Sequence, residues 1–71
     1  MYIVEKLLTL SNYGSALYIT DNQGNRKPEL FDTYEAAQNA LHEIFYDQVI
    51  HYTNGDIFEI DNPINYRISE V

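Results

Sequence analysis

The stretch that most constrains the fold of this chain is Phe31–Tyr52, FDTYEAAQNALHEIFYDQVIHY, which has the pattern of a single amphipathic helix. Asp32 and Thr33 are both good N-cap residues, and Asp32 with Glu35 has the spacing of a capping box. Residues that recur at three- and four-residue steps form one stripe: Ala37, Ala40, Leu41, Ile44, Phe45, Gln48, Val49 and Tyr52. The sequence therefore predicts a helix whose stripe packs on a sheet, with the early alanines closest to it.

The C-terminal end of this helix has two interpretations, because Asn54-Gly55 lies between apolar residues. As a hairpin turn, Asn54-Gly55 would pair Val49–Thr53 with Asp56–Ile60, but each face would then mix apolar and polar residues. As a helix end, the same dipeptide would form a left-handed C-cap after a stripe that continues through Tyr52. We favour the helix.

The first half of the chain predicts short antiparallel strands. Tyr2–Leu10 alternates, and its likelier core face is Tyr2, Val4, Lys6, Leu8 and Leu10. After a turn, Ser15–Asp21 is predicted to form a hairpin with this first strand. A short third strand at Arg26–Glu29 should lie at an edge or stop at Pro28, because Pro28 cannot donate a ladder hydrogen bond.

The second half predicts two further strands after the helix. Asp56–Ile60 is a short candidate, and Asn65–Val71 alternates as a final strand that should pair with the first. Together these elements predict one α+β domain over residues 1–71. We expect an antiparallel sheet of three to five strands with one helix packed on one face, in the order ββ(β)α(β)β.

Charge and composition exclude several functions. Eleven acidic against four basic residues give a formal charge of −7, which disfavours direct binding of nucleic acid or anionic membranes. No apolar run approaches the roughly 18 residues of a membrane span. Without cysteine there is no disulfide or thiolate zinc site, so we expect a soluble, cytoplasmic protein.

No motif in the sequence predicts catalysis or metal binding. His42-Glu43 begins a zinc-protease pattern, but Tyr46 stands where the second histidine is needed. The acidic residues Asp56, Glu59 and Asp61 lack the order of an EF-hand loop. No serine lies in a Gly-x-Ser-x-Gly elbow, and the three glycines form no phosphate-binding loop. We therefore expect a protein that is not an enzyme and has no metal or cofactor.

The acidic outer side of the predicted helix is the strongest candidate for a function. Glu43 and Asp47 are one turn apart, and Glu35 extends the charge toward the N-terminus. Carboxylates at this spacing roughly match phosphates along DNA and would fit a basic nucleic-acid groove on another protein. The predicted partner-binding residues are Glu35, Glu43, Tyr46, Asp47, Asp56, Glu59 and Asp61, with Tyr46 supplying contact area.

The chain as a whole resembles short, acidic, tyrosine- and asparagine-rich proteins of bacteriophages and mobile elements, in particular anti-restriction and anti-CRISPR inhibitors. The features that carry this resemblance are MYIVEKLL, FDTYEAAQNAL, the terminal NYRISEV and the charge of −7. The resemblance implies stoichiometric inhibition, in which the protein occupies the nucleic-acid channel of a host nuclease or RNA-guided complex. Arg26-Lys27 interrupts the acidity, unlike in an extreme DNA mimic.

A second hypothesis is a small accessory module that binds itself or another subunit through a sheet edge or a tyrosine patch. In that case a homodimer is expected, and the acidity serves only solubility. The two hypotheses differ in the expected salt dependence of binding and in the oligomeric state.

Overall fold

Strand β1, Tyr2–Leu7, is the centre of the sheet, because it alone is paired along both edges. The computed structural model describes the whole chain, residues 1–71. The other elements are β2 (Tyr13–Ser15), β3 (Tyr18–Thr20), β4 (Arg26–Pro28), β5 (Leu30–Phe31), α1 (Tyr34–Thr53), a turn of 3-10 helix (Pro63–Asn65) and β6 (Tyr66–Glu70). One helix with antiparallel strands confirms the α+β class.

All pairings of β1 are antiparallel. Along one edge, β6 pairs with it from Tyr2–Glu70 to Lys6–Tyr66, so the predicted pairing of first and last strands is confirmed. The other edge is shared by two short strands. There β2 lies opposite the C-terminal half of β1, and β5 lies opposite its N-terminal half. This arrangement brings both chain termini to the same end of the sheet, where the Val71 N–H donates to the Met1 carbonyl at 2.9 Å.

The single strand predicted at Ser15–Asp21 is wrong, because the chain bends between Ser15 and Tyr18. The Ser15 hydroxyl donates to the Leu17 carbonyl at 2.6 Å, a local bond that competes with a continuous ladder. The chain then forms a separate two-stranded hairpin of β3 and β4. Its turn is held by Asp21, whose carboxylate accepts from the backbone N–H groups of Gln23 and Asn25.

The N-cap of α1 sets the residue at which the helix begins. The N-cap is Thr33, whose Oγ1 accepts from the Ala36 N–H at 3.1 Å. The capping box predicted from Asp32 and Glu35 is therefore wrong, because Asp32 lies one residue before the cap.

The helix interpretation of the Asn54-Gly55 region is confirmed, with Gly55 as the left-handed residue at φ +83°. Asn54 itself is right-handed. The Gly55 and Asp56 N–H groups donate to the Tyr52 and His51 carbonyls, which completes a Schellman motif.

The core lies where the first turns of α1 pack on β1. Val4 and Ala37 are the only fully buried residues, which agrees with the prediction that the early alanines lie closest to the sheet. Further along, the Phe45 and Tyr66 rings meet edge to face with centroids 5.0 Å apart. Val49 and Tyr52, also expected in the buried stripe, are about half exposed.

Two further strand predictions are wrong. The first strand ends at Leu7, and the Leu8 and Leu10 side chains, expected in the core, are exposed. The strand expected at Asp56–Ile60 does not form. Instead the segment returns as irregular chain, held at Asp61, whose N–H donates to the Gln48 side-chain oxygen at 2.7 Å.

None of the helices combines the length and apolar character that crossing a membrane requires.

Candidate functional site

An open groove of about 470 Å³ lies between α1 and the base of the β3–β4 hairpin. Its floor is apolar and consists of Leu17, Phe31, Ala36, Ala40 and Ile44. Its rim is polar and consists of Glu29, Asn39, Glu43 and Asp47. We call this feature the acidic groove. It combines an apolar floor with carboxylates from two separate elements of the fold.

The groove lies where α1 and the hairpin make few contacts with each other. The helix lies on β1, β5 and β6, whereas β3 and β4 pair only with each other. Ala36 and Ala40 occupy the helix side of the gap, and their small side chains leave space that Leu or Phe would fill. The bend at Ser15 and Leu17 sets the direction of the hairpin and thereby the position of the opposite wall.

The three rim carboxylates, Glu29, Glu43 and Asp47, form no ion pair within the molecule. Every basic side chain is engaged elsewhere: Lys6 with Asp61 at 3.4 Å, Lys27 with Asp21 at 3.5 Å, Arg67 with Glu5 at 2.9 Å, and Arg26 over the Tyr18 ring. Because the charges on the rim lack an internal counterion, the groove is a local concentration of negative potential.

The structure places four of the predicted binding residues along α1. Glu43 and Asp47 lie on the rim of the acidic groove. Glu35, in the first turn, and Tyr46, a residue that is 67% exposed, lie outside the groove on the exposed side of the helix. The helix thus carries the predicted acidic surface without internal ion pairs.

The other three predicted residues lie after the helix and have different surroundings. Asp61 is half-buried and held by internal contacts: its carboxylate accepts from the Tyr66 hydroxyl at 2.6 Å and lies 3.4 Å from the Lys6 Nζ. Asp56 contacts the His51 Nδ1 at 3.1 Å. Glu59 is exposed and forms no ion pair. Asp61 therefore connects the sheet to the helix through its side-chain contacts, and it is not one of the groove residues.

Three carboxylates, those of Glu5, Asp21 and Asp61, have a pKa below the usual range because the fold supplies hydrogen bonds to them. Donation by the Tyr66 hydroxyl is the main cause that lowers the pKa of Asp61, and burial raises the pKa of Tyr66 to about 12. Donation by the Ser69 hydroxyl and by Arg67 lowers the pKa of Glu5. These carboxylates stabilise the folded chain.

Sequence reasoning missed Glu29 and the apolar floor. Glu29 lies just after β4 and belongs to no periodic pattern, so only the tertiary structure places it on the same rim as Glu43. The sequence did contain a signal for the groove. Ala36 and Ala40 are small residues one turn apart, so this side of the helix leaves space next to it.

No group of three or more His, Asp or Glu side chains is arranged to hold a metal ion. Comparisons with protein-family models, with curated proteins and with solved structures found no match for this chain. Its function is therefore inferred from the acidic groove, the exposed helix surface and the distribution of charge.

Proposed function

We propose that the protein is a non-enzymatic inhibitor that binds a basic nucleic-acid-binding surface of a host nuclease or RNA-guided defence complex. The observation that supports this proposal is the absence of internal counterions at Glu29, Glu43 and Asp47, while all four bases are engaged elsewhere. Lys and Arg side chains of a partner would supply the missing positive charge.

The spacing of the helix carboxylates suits such a partner. Glu43 and Asp47 are one turn apart, with about 5–6 Å between their Cβ atoms, a separation on the scale of successive phosphates. Glu35 and the exposed Tyr46 ring would extend the contact beyond the groove. Opposite charges of this kind speed association and favour basic partners over acidic ones.

The test begins with affinity capture from host lysate and continues with the purified partner. We expect affinity to fall steeply as salt is raised and DNA or RNA to compete for the same surface. Glu43→Gln should weaken binding about tenfold, which corresponds to about 1.4 kcal/mol. The control is Glu70→Gln, which removes the same charge from β6, and it should bind like the parent protein. Binding that ignores salt and leaves the partner's nucleic-acid channel free would reject the proposal.

A second candidate function is the accessory module that associates through a sheet edge. It is supported by the open outer edge of β6 and by exposed apolar side chains on neighbouring segments, Phe58 and Ile64 among them. Sedimentation velocity at several concentrations tests it. A dimer that dissociates on dilution, and that is weakened by Glu70→Pro, would favour this function over inhibition, because the Glu70 N–H lies on the outer edge of β6, away from β1.

A further inference from the structure

The acidic groove has an apolar floor between carboxylates, which is the chemistry of a site that binds a basic peptide segment. We infer that it binds a short extended segment of the partner in which an apolar side chain is flanked by Lys or Arg. This inference rests on the proposed function, since it names the part of the partner that the groove would contact. The apolar side chain would lie on Leu17, Phe31 and Ile44.

The positions of the carboxylates define the ligand. Glu29 lies on the hairpin wall, whereas Glu43 and Asp47 lie on the helix wall, so a segment lying in the groove has negative charge on both sides. A basic side chain on either side of the apolar residue could reach a carboxylate while its stem lies along the floor. An acidic or phosphorylated ligand would be repelled by the same groups.

The length of the groove limits the segment. Its helix wall runs from Ala36 to Asp47, which is about 16 Å at the helical rise of about 1.5 Å per residue. An extended chain rises about 3.3 Å per residue, so roughly five residues lie along this wall. The site is open along its length and does not enclose a ligand, which suits a peptide better than a small molecule.

Charge also disfavours a second copy of this chain in the groove. Each copy has a formal charge of −7, and all four of its bases are engaged in internal contacts. The hairpin with Arg26 and Lys27 would have to give up the Tyr18 and Asp21 contacts to bind there. A basic segment from a different protein brings charge without this loss.

The test uses two synthetic peptides of about seven residues, enough to span the groove. One alternates Arg with Leu, and the other alternates Arg with Ser and has the same charge. Binding is followed by amide chemical shifts of the ¹⁵N-labelled protein. We expect the Arg-Leu peptide to bind about tenfold more tightly and to shift the Leu17, Phe31 and Ala40 amides.

Variants separate the floor from the rim. Ala40→Phe fills the floor and should abolish the difference between the two peptides while retaining salt-dependent binding of both. Glu29→Gln leaves the floor unchanged and tests the hairpin wall, so it also serves if Ala40→Phe fails to fold. It should weaken binding of the Arg-Leu peptide severalfold. Glu70→Gln removes the same charge outside the groove and should have no effect.

Four results would overturn the inference. The first is equal binding of the two peptides, and the second is a set of amide shifts confined to the surface around Glu35 and Tyr46. The third is no binding of either peptide. The fourth is a dimer whose dissociation on dilution shifts the groove amides. The inhibitor proposal is tested separately, by the salt dependence of binding to the purified partner and by competition with nucleic acid. A failure of the peptide-site inference can therefore be distinguished from a failure of the inhibitor proposal.

Discussion

Asp61 and Glu43 are carboxylates of one small protein in opposite surroundings. Asp61 accepts from the Tyr66 hydroxyl and the Gln48 amide and lies near the Lys6 ammonium. Glu43 lies on the groove rim one turn from Asp47, a residue of the same charge. Contacts of the first kind stabilise the fold, whereas unpaired charges of the second kind oppose it and remain available to a partner.

Asp61→Asn tests the structural role at the level of one residue. Its lowered pKa means that Asp61 stabilises the fold above the unfolded value of 3.8, and that this contribution is lost as pH falls through the folded pKa. Because the side chain is 42% exposed, we expect the variant to lose only about 1 kcal/mol at neutral pH. Urea unfolding at neutral and acidic pH measures this loss, which should shrink in acid. A loss that is independent of pH would contradict the assignment, and Glu59→Gln is the control.

The helix α1 is the element on which both the core and the acidic groove depend. Its inner side contributes Ala37 to the core, and an adjacent side contributes Ala36, Ala40 and Ile44 to the groove floor. The C-terminal Schellman motif ends the helix at Thr53 and turns the chain back toward β6. The end of this helix is therefore set locally, by backbone hydrogen bonds and one left-handed residue.

Gly55→Ala tests this helix end. A side chain at φ +83° is strained, so we expect the variant to lose about 1 kcal/mol of unfolding free energy. Asn54→Ala is the matched control, because Asn54 is right-handed and should change stability by less than about 0.5 kcal/mol. Chemical denaturation measures both. Equal losses for the two variants would indicate that the left-handed conformation at Gly55 is not what stabilises the helix end.

The whole molecule combines a small core with a large net charge. Only Val4 and Ala37 are fully buried, and seven of the eleven acidic side chains form no ion pair. Charge repulsion of this kind destabilises a compact chain, and salt screens it. Unpaired charges of this kind lower the free energy of unfolding of a protein whose core is already small. Such a cost is expected where surface residues are retained for binding.

Glu43→Gln tests this balance between stability and binding. Removing one of two like charges a turn apart should stabilise the free protein by a few tenths of a kcal/mol, while partner affinity falls. Thermal unfolding at low and high salt measures the first effect, and salt should stabilise the parent protein more than the variant. A variant that is less stable than the parent at low salt would show that Glu43 has a structural role.

The sequence by itself determined the helix and the pairing of the outermost strands. Residues close in the chain specify α1, because Thr33 caps its start, Gly55 ends it, and the apolar stripe repeats at helical spacing. Alternation likewise predicted the first and last strands, and the hazard of an exposed strand edge predicted the pairing that β1 and β6 form. Glu43 and Asp47 were found as a pair because helical geometry alone brings them together.

Only the tertiary structure decided the rest. The irregular chain at Asp56–Ile60 and the position of Glu29 depend on which distant group completes each hydrogen bond or packs on each side chain. Such pairings join residues far apart in the chain, so local periodicity does not specify them. The acidic groove belongs to this second class: its helix wall follows from the sequence, but its opposite wall exists only after the chain has folded.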